Sequence, residues 1–392
     1  MRTIGVVTTS RADYGIYRPL IQKILGDPDL KLHLLVSGTH LSPEFGLTIR
    51  EIEDEGIPIA EKVECLLASD SPTGIATSMG VGVMGFAQAY GRFKPDLLLV
   101  LGDRFEMFSA ALAALPFKIP VAHLHGGEIT EGAMDDSLRH ALTKISHLHF
   151  VAAPVCAERL RQLGEEPWRV EVCGALGLDN LKSVKWMKRP ELEAAFGLDL
   201  RKPPLLVTYH PVTLEYEQAG TQIDNLLKAL KDSGFPVVFT LPNADTAGSL
   251  IAERMRAFLK DYPSARLVPN LGTRGYFSLM RLALAMVGNS SSGLIEAPYL
   301  SLPVVNVGNR QKGRLRGKNV IDVGTDRAEI LRGIERAVEP AFRKSLFPHA
   351  NPYGKGQAAQ RILRRIKNIP ITQRLLVKKF VDFPWGKGAG GR

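Results

Sequence analysis

The chain has 392 residues, 45% of them apolar, and a net charge of +10, a size and composition suited to two globular cores. No run of about 18 uncharged apolar residues occurs, which excludes a membrane-spanning helix, and three scattered cysteines (Cys65, Cys156, Cys173) suit neither a disulfide framework nor a zinc site but reduced thiols in a cytoplasm. The charge excess is local: residues 355–392 carry ten Lys/Arg and one acid, Asp382, so the body is nearly neutral and a solvated helix face is favoured over a nucleic-acid or acidic-membrane contact.

Short apolar runs alternate with helical patterns from the start. Residues 1–9 are too short an apolar run for a signal peptide and predict a buried strand over 3–9. A helix over 14–25, a strand over 31–37, a helix near 44–55 and a long helix near 73–93 follow. Residues 96–101 are apolar on both faces, as a buried parallel strand is. Then come helix 105–116, strand 119–125, helix 134–147, strand 148–152, helix 154–164 and strand 170–173. This alternation predicts a doubly wound parallel sheet over residues 1–174. Residues 175–203 break the rhythm and read as a connection. It restarts over 204–354, with strands near 205–209, 236–241, 265–268, 284–288 and 303–307. Helices are expected near 217–233, 246–260, 273–281, 293–300 and 326–338. The expectation is an α/β protein of two similar domains facing each other across a cleft, with ligands outside the carboxyl ends of the strands. Residues 355–370 pattern as a helix with Ala358, Ala359, Ile362, Leu363 and Ile366 on one face, able to pack back on the first domain. Residues 371–392 form a basic tail, and its end, Gly386 to Arg392, reads as disordered.

Several strand ends carry chemistry. After the first strand, Thr8-Thr9-Ser10-Arg11-Ala12-Asp13 lacks the GxGxxG of a dinucleotide fold. Arg11 is either a fork for phosphate oxygens or a surface arginine on a capped turn. In Gly102-Asp103-Arg104, Asp103 is a general base, a sugar-hydroxyl acceptor or a helix cap. In His123-Leu124-His125-Gly126-Gly127-Glu128, strand alternation puts both histidines on one face, and the glycines allow close backbone approach. With no third metal ligand evident, proton transfer or hydrogen bonding is favoured there. Asp135 and Asp136 open a helix; they complement its dipole, and beside Asp103 one of them could have a raised pKa.

In the second half, Tyr209-His210-Pro211 closes a strand with a histidine directed to the cleft. Val287-Gly288-Asn289-Ser290-Ser291-Ser292-Gly293 reads as strand, tight loop and helix start, an anion site or a plain serine cap. Glu296, one turn on, could accept two ribose hydroxyls. Arg310 follows another strand end and would neutralise a diphosphate there, unless it belongs to a solvated loop.

Together these stretches, with Thr143-Lys144, Pro242-Asn243-Ala244-Asp245 and Asn309 through Arg314, resemble the hydrolysing UDP-N-acetylglucosamine 2-epimerases of sialic and legionaminic acid biosynthesis, over roughly residues 1–367. The resemblance implies a GT-B fold of two Rossmann-like domains and no nicotinamide or metal. It implies anti elimination of UDP through a 2-acetamidoglucal, then water addition to give UDP and an N-acetylmannosamine-type sugar. Arg11, Ser290, Ser291, Glu296 and Arg310 would hold UDP; Asp103, Asp135 and His210 would serve the sugar and the proton transfers; Arg104 would steady the carboxylates. Non-hydrolysing bacterial relatives and the animal bifunctional enzyme carry a Glu where this chain has His125, so the general base stays open among His125, Asp103 and Glu128. Thr39, in place of the glutamine of the non-hydrolysing relatives, points to the hydrolysing branch. The resemblance also implies a homo-oligomer, dimer or tetramer. UDP-N,N'-diacetylbacillosamine is the alternative substrate, and a UDP-sugar glycosyltransferase of the same fold is the competing class.

Overall fold

A computed structural model describes residues 1–69, 71–131, 134–242, 248–346 and 351–382. The Asn243-Ala244-Asp245 part of one motif and the expected disorder of Gly386 to Arg392 lie outside the described residues. The chain divides into two compact units, one of residues 1–128, 134–176 and 356–392, the other of 129–133 and 177–355.

The first unit is a seven-stranded sheet, β1 (Arg2–Thr8), β2 (Leu30–Ser37), β3 (Ile59–Val63), β4 (Leu97–Leu101), β5 (Val121–Leu124), β6 (Leu148–Val151) and β7 (Val170–Val172), with every pairing parallel. Its order, β3-β2-β1-β4-β5-β6-β7, reverses direction between β1 and β4. Central β4 is Leu-Leu-Leu-Val-Leu, buried throughout. That composition follows from helices covering both faces.

Sequence periodicity missed β3. Ile59-Ala60-Glu61-Lys62-Val63 is an edge strand with one partner, β2, and alternating exposure. It has no two-sided apolar run to betray it, and its charges suit an edge. The helix expected over 44–55 is broken into a 3-10 turn at Pro43–Phe45, a left-handed Gly46 and a short helix at Ile49–Asp54.

The second unit repeats the plan with six parallel strands: β8 (Leu205–Thr208), β9 (Val237–Thr240), β10 (Ala265–Val268), β11 (Ala285–Gly288), β12 (Val304–Val307) and β13 (Val320–Val323). Their order, β10-β9-β8-β11-β12-β13, reverses between β8 and β11. Edge strand β13 was not expected from the sequence. Residues 175–203 hold two helices, Leu178–Ser183 and Arg189–Phe196. The helix expected over 293–300 is four residues of α-helix, Ser292–Ile295, then a 3-10 turn, Ala297–Leu300. Pro298 has no N–H and crowds the preceding turn, which prevents one continuous helix.

The helix Ala358–Asn368 belongs to the first unit, with Ala358, Ala359, Ile362, Leu363 and Ile366 inside that unit's core. Arg2 donates to the Lys367 carbonyl (2.9 Å), and Lys367 pairs with Asp27 (2.9 Å) and Asp29 (2.8 Å). Truncating a fully buried isoleucine loses transfer free energy and leaves a cavity, so Ile366→Ala should cost about 2–5 kcal/mol. Thermal unfolding of the full chain checks this; an unchanged melting temperature would contradict the packing.

Candidate functional site

In the first unit the expected residues gather at the loops after β1, β4 and β5, around the sheet's switch point, where α/β sheets open a crevice. Ser10 caps the helix Arg11–Leu25 by accepting from the Asp13 N–H (3.3 Å), and Thr9 Oγ1 donates to Asp13 (2.7 Å). Arg11 stands in the first turn of that helix, partly exposed and paired with Glu51 (3.1 Å).

Arg139, on the helix Met134–Ile145, organises the loops after β4 and β5. Its guanidinium is buried, ion-paired with Asp103 and with Asp136 (3.0 Å), and it donates to the Glu128 carbonyl (2.9 Å). One cation thus ties the end of β4, the loop after β5 and the start of its own helix. A buried charge tolerates this position because it is fully engaged; removing one partner of such a set costs about 3–5 kcal/mol. Asp135 lies in the first turn of the same helix. Burial pushes its carboxyl up to about 6, the Asp103 carboxylate adds to the rise, and Arg104 and Arg139 oppose it. Arg104 pairs with Glu106 (3.5 Å), whose carboxyl burial pushes upward.

The two histidines of the β5 loop do not share a strand face. β5 ends at Leu124, and His125 takes a left-handed φ of 63°. Alternation stops there, and the two rings take different partners. His123 is buried, donates from Nε2 to the Gly102 carbonyl (2.7 Å), and burial lowers its pKa to about 3. His125 sets Nδ1 against Glu128 Oε1 (2.7 Å), while its buried Nε2 has no hydrogen-bond partner among the described residues. Among those residues no group of three or more His, Cys, Asp or Glu could hold a metal ion.

The second unit shows a similar convergence at its own switch point. Asn289 is fully buried. Its side chain accepts from the His210 N–H (2.7 Å) and donates to the His210 carbonyl (2.8 Å), and its own N–H donates to the Thr208 carbonyl (3.1 Å). Its carbonyl accepts from Arg310 (3.1 Å) and Gln311 (2.8 Å). The ends of β8, β11 and β12 are thereby fastened to one residue. Gly288 makes this possible: at φ 133° its missing Cβ would run into the Thr208 carbonyl. Ser290 and Ser291 follow directly, half-buried, with Glu296 at the joint between the two short helices. Burial, with a smaller contribution from the Arg310 charge, lowers the His210 pKa to about 3, so the imidazole is neutral near pH 7.

The expected residues therefore form two groups: Arg11, Asp103, Arg104, His125, Glu128 and Asp135 on the first unit, and His210, Ser290, Ser291, Glu296 and Arg310 on the second. Sequence reasoning did not single out Arg139, Asn289 or Tyr276. Tyr276 has its hydroxyl among Ser292, Thr208 and Ser290; burial pushes its pKa up to about 12 against those hydrogen bonds. Arg139 and Asn289 stood inside motifs, but only the fold reveals that their side chains are buried. Tyr276, on the helix Gly272–Leu282, carried no motif signal.

The sequence profile of the UDP-N-acetylglucosamine 2-epimerase family matches residues 22–367. A GDP/UDP-N,N'-diacetylbacillosamine 2-epimerase (hydrolyzing) of Campylobacter jejuni is 41% identical, with 97% of this chain and 99% of that protein aligned. Polysialic acid biosynthesis protein P7 of Escherichia coli is 36% identical, with 98% of each aligned. The crystal structure of UDP-GlcNAc 2-epimerase from Neisseria meningitidis bound to UDP-GlcNAc superposes with a TM-score of 0.81 at 19% identity, covering 93% of this chain and 99% of that one. The fold is thus of the GT-B class, two Rossmann-like parallel-sheet units. With the family profile matching well over half its length, the chain belongs to the UDP-N-acetylglucosamine 2-epimerase family.

Proposed function

We propose that the chain is a hydrolysing 2-epimerase of UDP-N-acetylglucosamine, releasing UDP and N-acetylmannosamine. The observation that supports the chemistry best is Asp135, a carboxyl at about 6 beside Asp103 and the Arg139 cation. Such a group exchanges protons near neutral pH, where catalytic acids and bases are most effective. The serine turn of the second unit, with Arg310 on the Asn289 carbonyl, suits a diphosphate. Ser290, Ser291, Arg310 and Arg11 hold UDP, and Glu296 takes the ribose hydroxyls.

In the first half-reaction the C1–O bond breaks with its electron pair going to UDP. Asp135, ionised, removes the C2 proton on the opposite face, and a 2-acetamidoglucal forms. Cationic stabilisation of the departing diphosphate lowers the barrier more than the base does, because the C2 hydrogen is only weakly acidic. Inverting C2 requires a second proton carrier on the other face. His125 serves as that carrier: Glu128 holds Nδ1, and Nε2 is the atom left to exchange a proton with the sugar. His125 delivers a proton to C2, water adds at C1 and passes its proton back to His125, and Asp135 releases the proton taken from C2 to solvent, which resets the site. Neutral His210 is a hydrogen-bond partner of the sugar. Asp103 and Arg104 set the field around Asp135.

A second reading, UDP-N,N'-diacetylbacillosamine as substrate, is favoured by the name and near-complete coverage of the Campylobacter relative. The chemistry at C1 and C2 is the same. Either product would serve nonulosonic acid synthesis, sialic or legionaminic, in the cytoplasm, with the enzyme as a dimer or tetramer.

Incubation with each UDP-sugar in deuterium oxide tests the proposal. Released UDP and a manno-configured sugar carrying deuterium at C2 are expected, and the larger kcat/KM identifies the substrate. Full retention of hydrogen at C2 would reject elimination. Asp135→Asn should lower kcat by about 10²-fold or more. In the wild type, turnover should fall as pH drops through about 6, the Asp135 value, and the variant should lose that limb. The folded-state pKa of Asp135 lies above the ordinary carboxylate value, so its contribution to stability is complete at low pH and is lost as pH rises through about 6. Asp135→Asn should therefore melt higher than wild type at pH 7.5. Arg310→Ala should weaken UDP binding by about 10-fold or more, measured by calorimetry, since a charge-assisted hydrogen bond contributes about 1.5–3 kcal/mol.

A further inference from the structure

The tail beyond the family-matched residues is fastened to the far end of the helix that carries Asp135. Lys378 Nζ donates to the carbonyls of Thr143 (3.1 Å), Lys144 (3.0 Å) and Ser146 (2.6 Å), the terminal acceptors of the helix Met134–Ile145. A helix C-terminus presents unpaired carbonyls and partial negative charge, so an ammonium there satisfies both. The same ammonium pairs with Glu165 (2.8 Å), which is fully buried and also engages Lys144 (2.7 Å) and His149 (3.0 Å).

A second clamp holds the tail itself. Buried Arg169 donates to the carbonyls of Leu375 (2.8 Å), Arg374 (3.1 Å) and Val377 (2.8 Å), and to that of His147 (3.1 Å), just past the same helix. Phe380 lies over Gly164, where a Cβ would meet its ring at 2.5 Å, and the Val381 N–H donates to the Gly164 carbonyl (3.0 Å). Lys378 is therefore spent on internal carbonyls, as are Arg361 and Arg365, which donate to the carbonyls of Val172 (3.0 Å) and Trp168 (2.7 Å).

We propose that residues 373–382 are a strap that sets the position of the Met134–Ile145 helix, with Lys378 as a positioning residue for the proton transfers at its opposite end. A twelve-residue helix moves as a rigid rod. A shift at its C-terminus carries Asp135 and Arg139 with it, and Arg139 would drag Asp103 and the β5 loop. The inference rests on the reading that Asp135 and its neighbours act on the sugar. It does not involve Ser290, Ser291, Glu296 or Arg310, the UDP-holding residues of the other unit.

The test compares Lys378→Met, Lys378→Arg and Lys379→Met in the full chain. Lys379 is exposed, so its replacement removes the same charge without touching the helix end. Lys378→Met should lower kcat by about 10-fold or more, the scale of an ångström-sized misplacement remote from the chemistry. KM and UDP affinity should stay near wild type, Lys378→Arg should recover most of kcat, and Lys379→Met should behave as wild type. Wild-type kcat in folded Lys378→Met, or an equal loss in Lys379→Met, overturns the proposal. Should Lys378→Met fail to fold, Phe380→Ala decides: reduced kcat at unchanged UDP affinity supports the strap, and unchanged kcat overturns it. A wild-type enzyme inactive on both UDP-sugars would instead overturn the functional reading.

Discussion

Asn289 is the residue on which the second unit's site depends. Three loops leave three strand ends, and each loop is polar and short of intrinsic structure. The buried Asn289 carboxamide joins two of them by pairing both ways with the backbone of His210, and the Asn289 main-chain carbonyl holds Arg310 and Gln311 of the third. In a low-dielectric interior those bonds are stronger than in water, and leaving any of them unmade is correspondingly expensive. The serine turn begins at the next residue, so its position is inherited from Asn289. Arg139 does the comparable work in the first unit with charge instead of an amide. It gathers Asp103, Asp136 and the Glu128 carbonyl beside Asp135.

Burial separates the acid–base groups by task. It drives His123 and His210 down to about 3, so both are neutral near pH 7 and act by hydrogen bonding. It drives Asp135 up to about 6, where a carboxyl can cycle. Opposite shifts from one physical cause follow from the charge type: desolvation penalises the imidazolium in one case and the carboxylate in the other. His125 differs again, because Glu128 orients its ring instead of the sheet.

Much of this was legible in the sequence. The two-sided apolar runs of β4 and β8 announce central parallel strands, and the polar loops after β1, β4, β5, β8, β11 and β12 announce what strand ends present. Edge strands β3 and β13 were not legible, although the other two edge strands, β7 and β10, were. The left-handed turn at His125 hid behind an apparent alternation, because nothing in His-Leu-His marks where a strand stops. The organisers were the hardest to see. Asn289 and Arg139 are polar residues whose importance comes from burial, and burial is a property of the fold. The family resemblance supplied roles for positions such as Asp135 and Ser290; the geometry supplies the reason those positions hold still.

On the proposed function, a sugar nucleotide is seated by its diphosphate on the turn that Asn289 fixes. A crystal structure with UDP bound tests it most directly. Diphosphate oxygens are expected within hydrogen-bonding distance of the Ser290–Ser291 turn and of the Arg310 guanidinium. Clear density for UDP elsewhere, with that turn and Arg310 untouched, would contradict it.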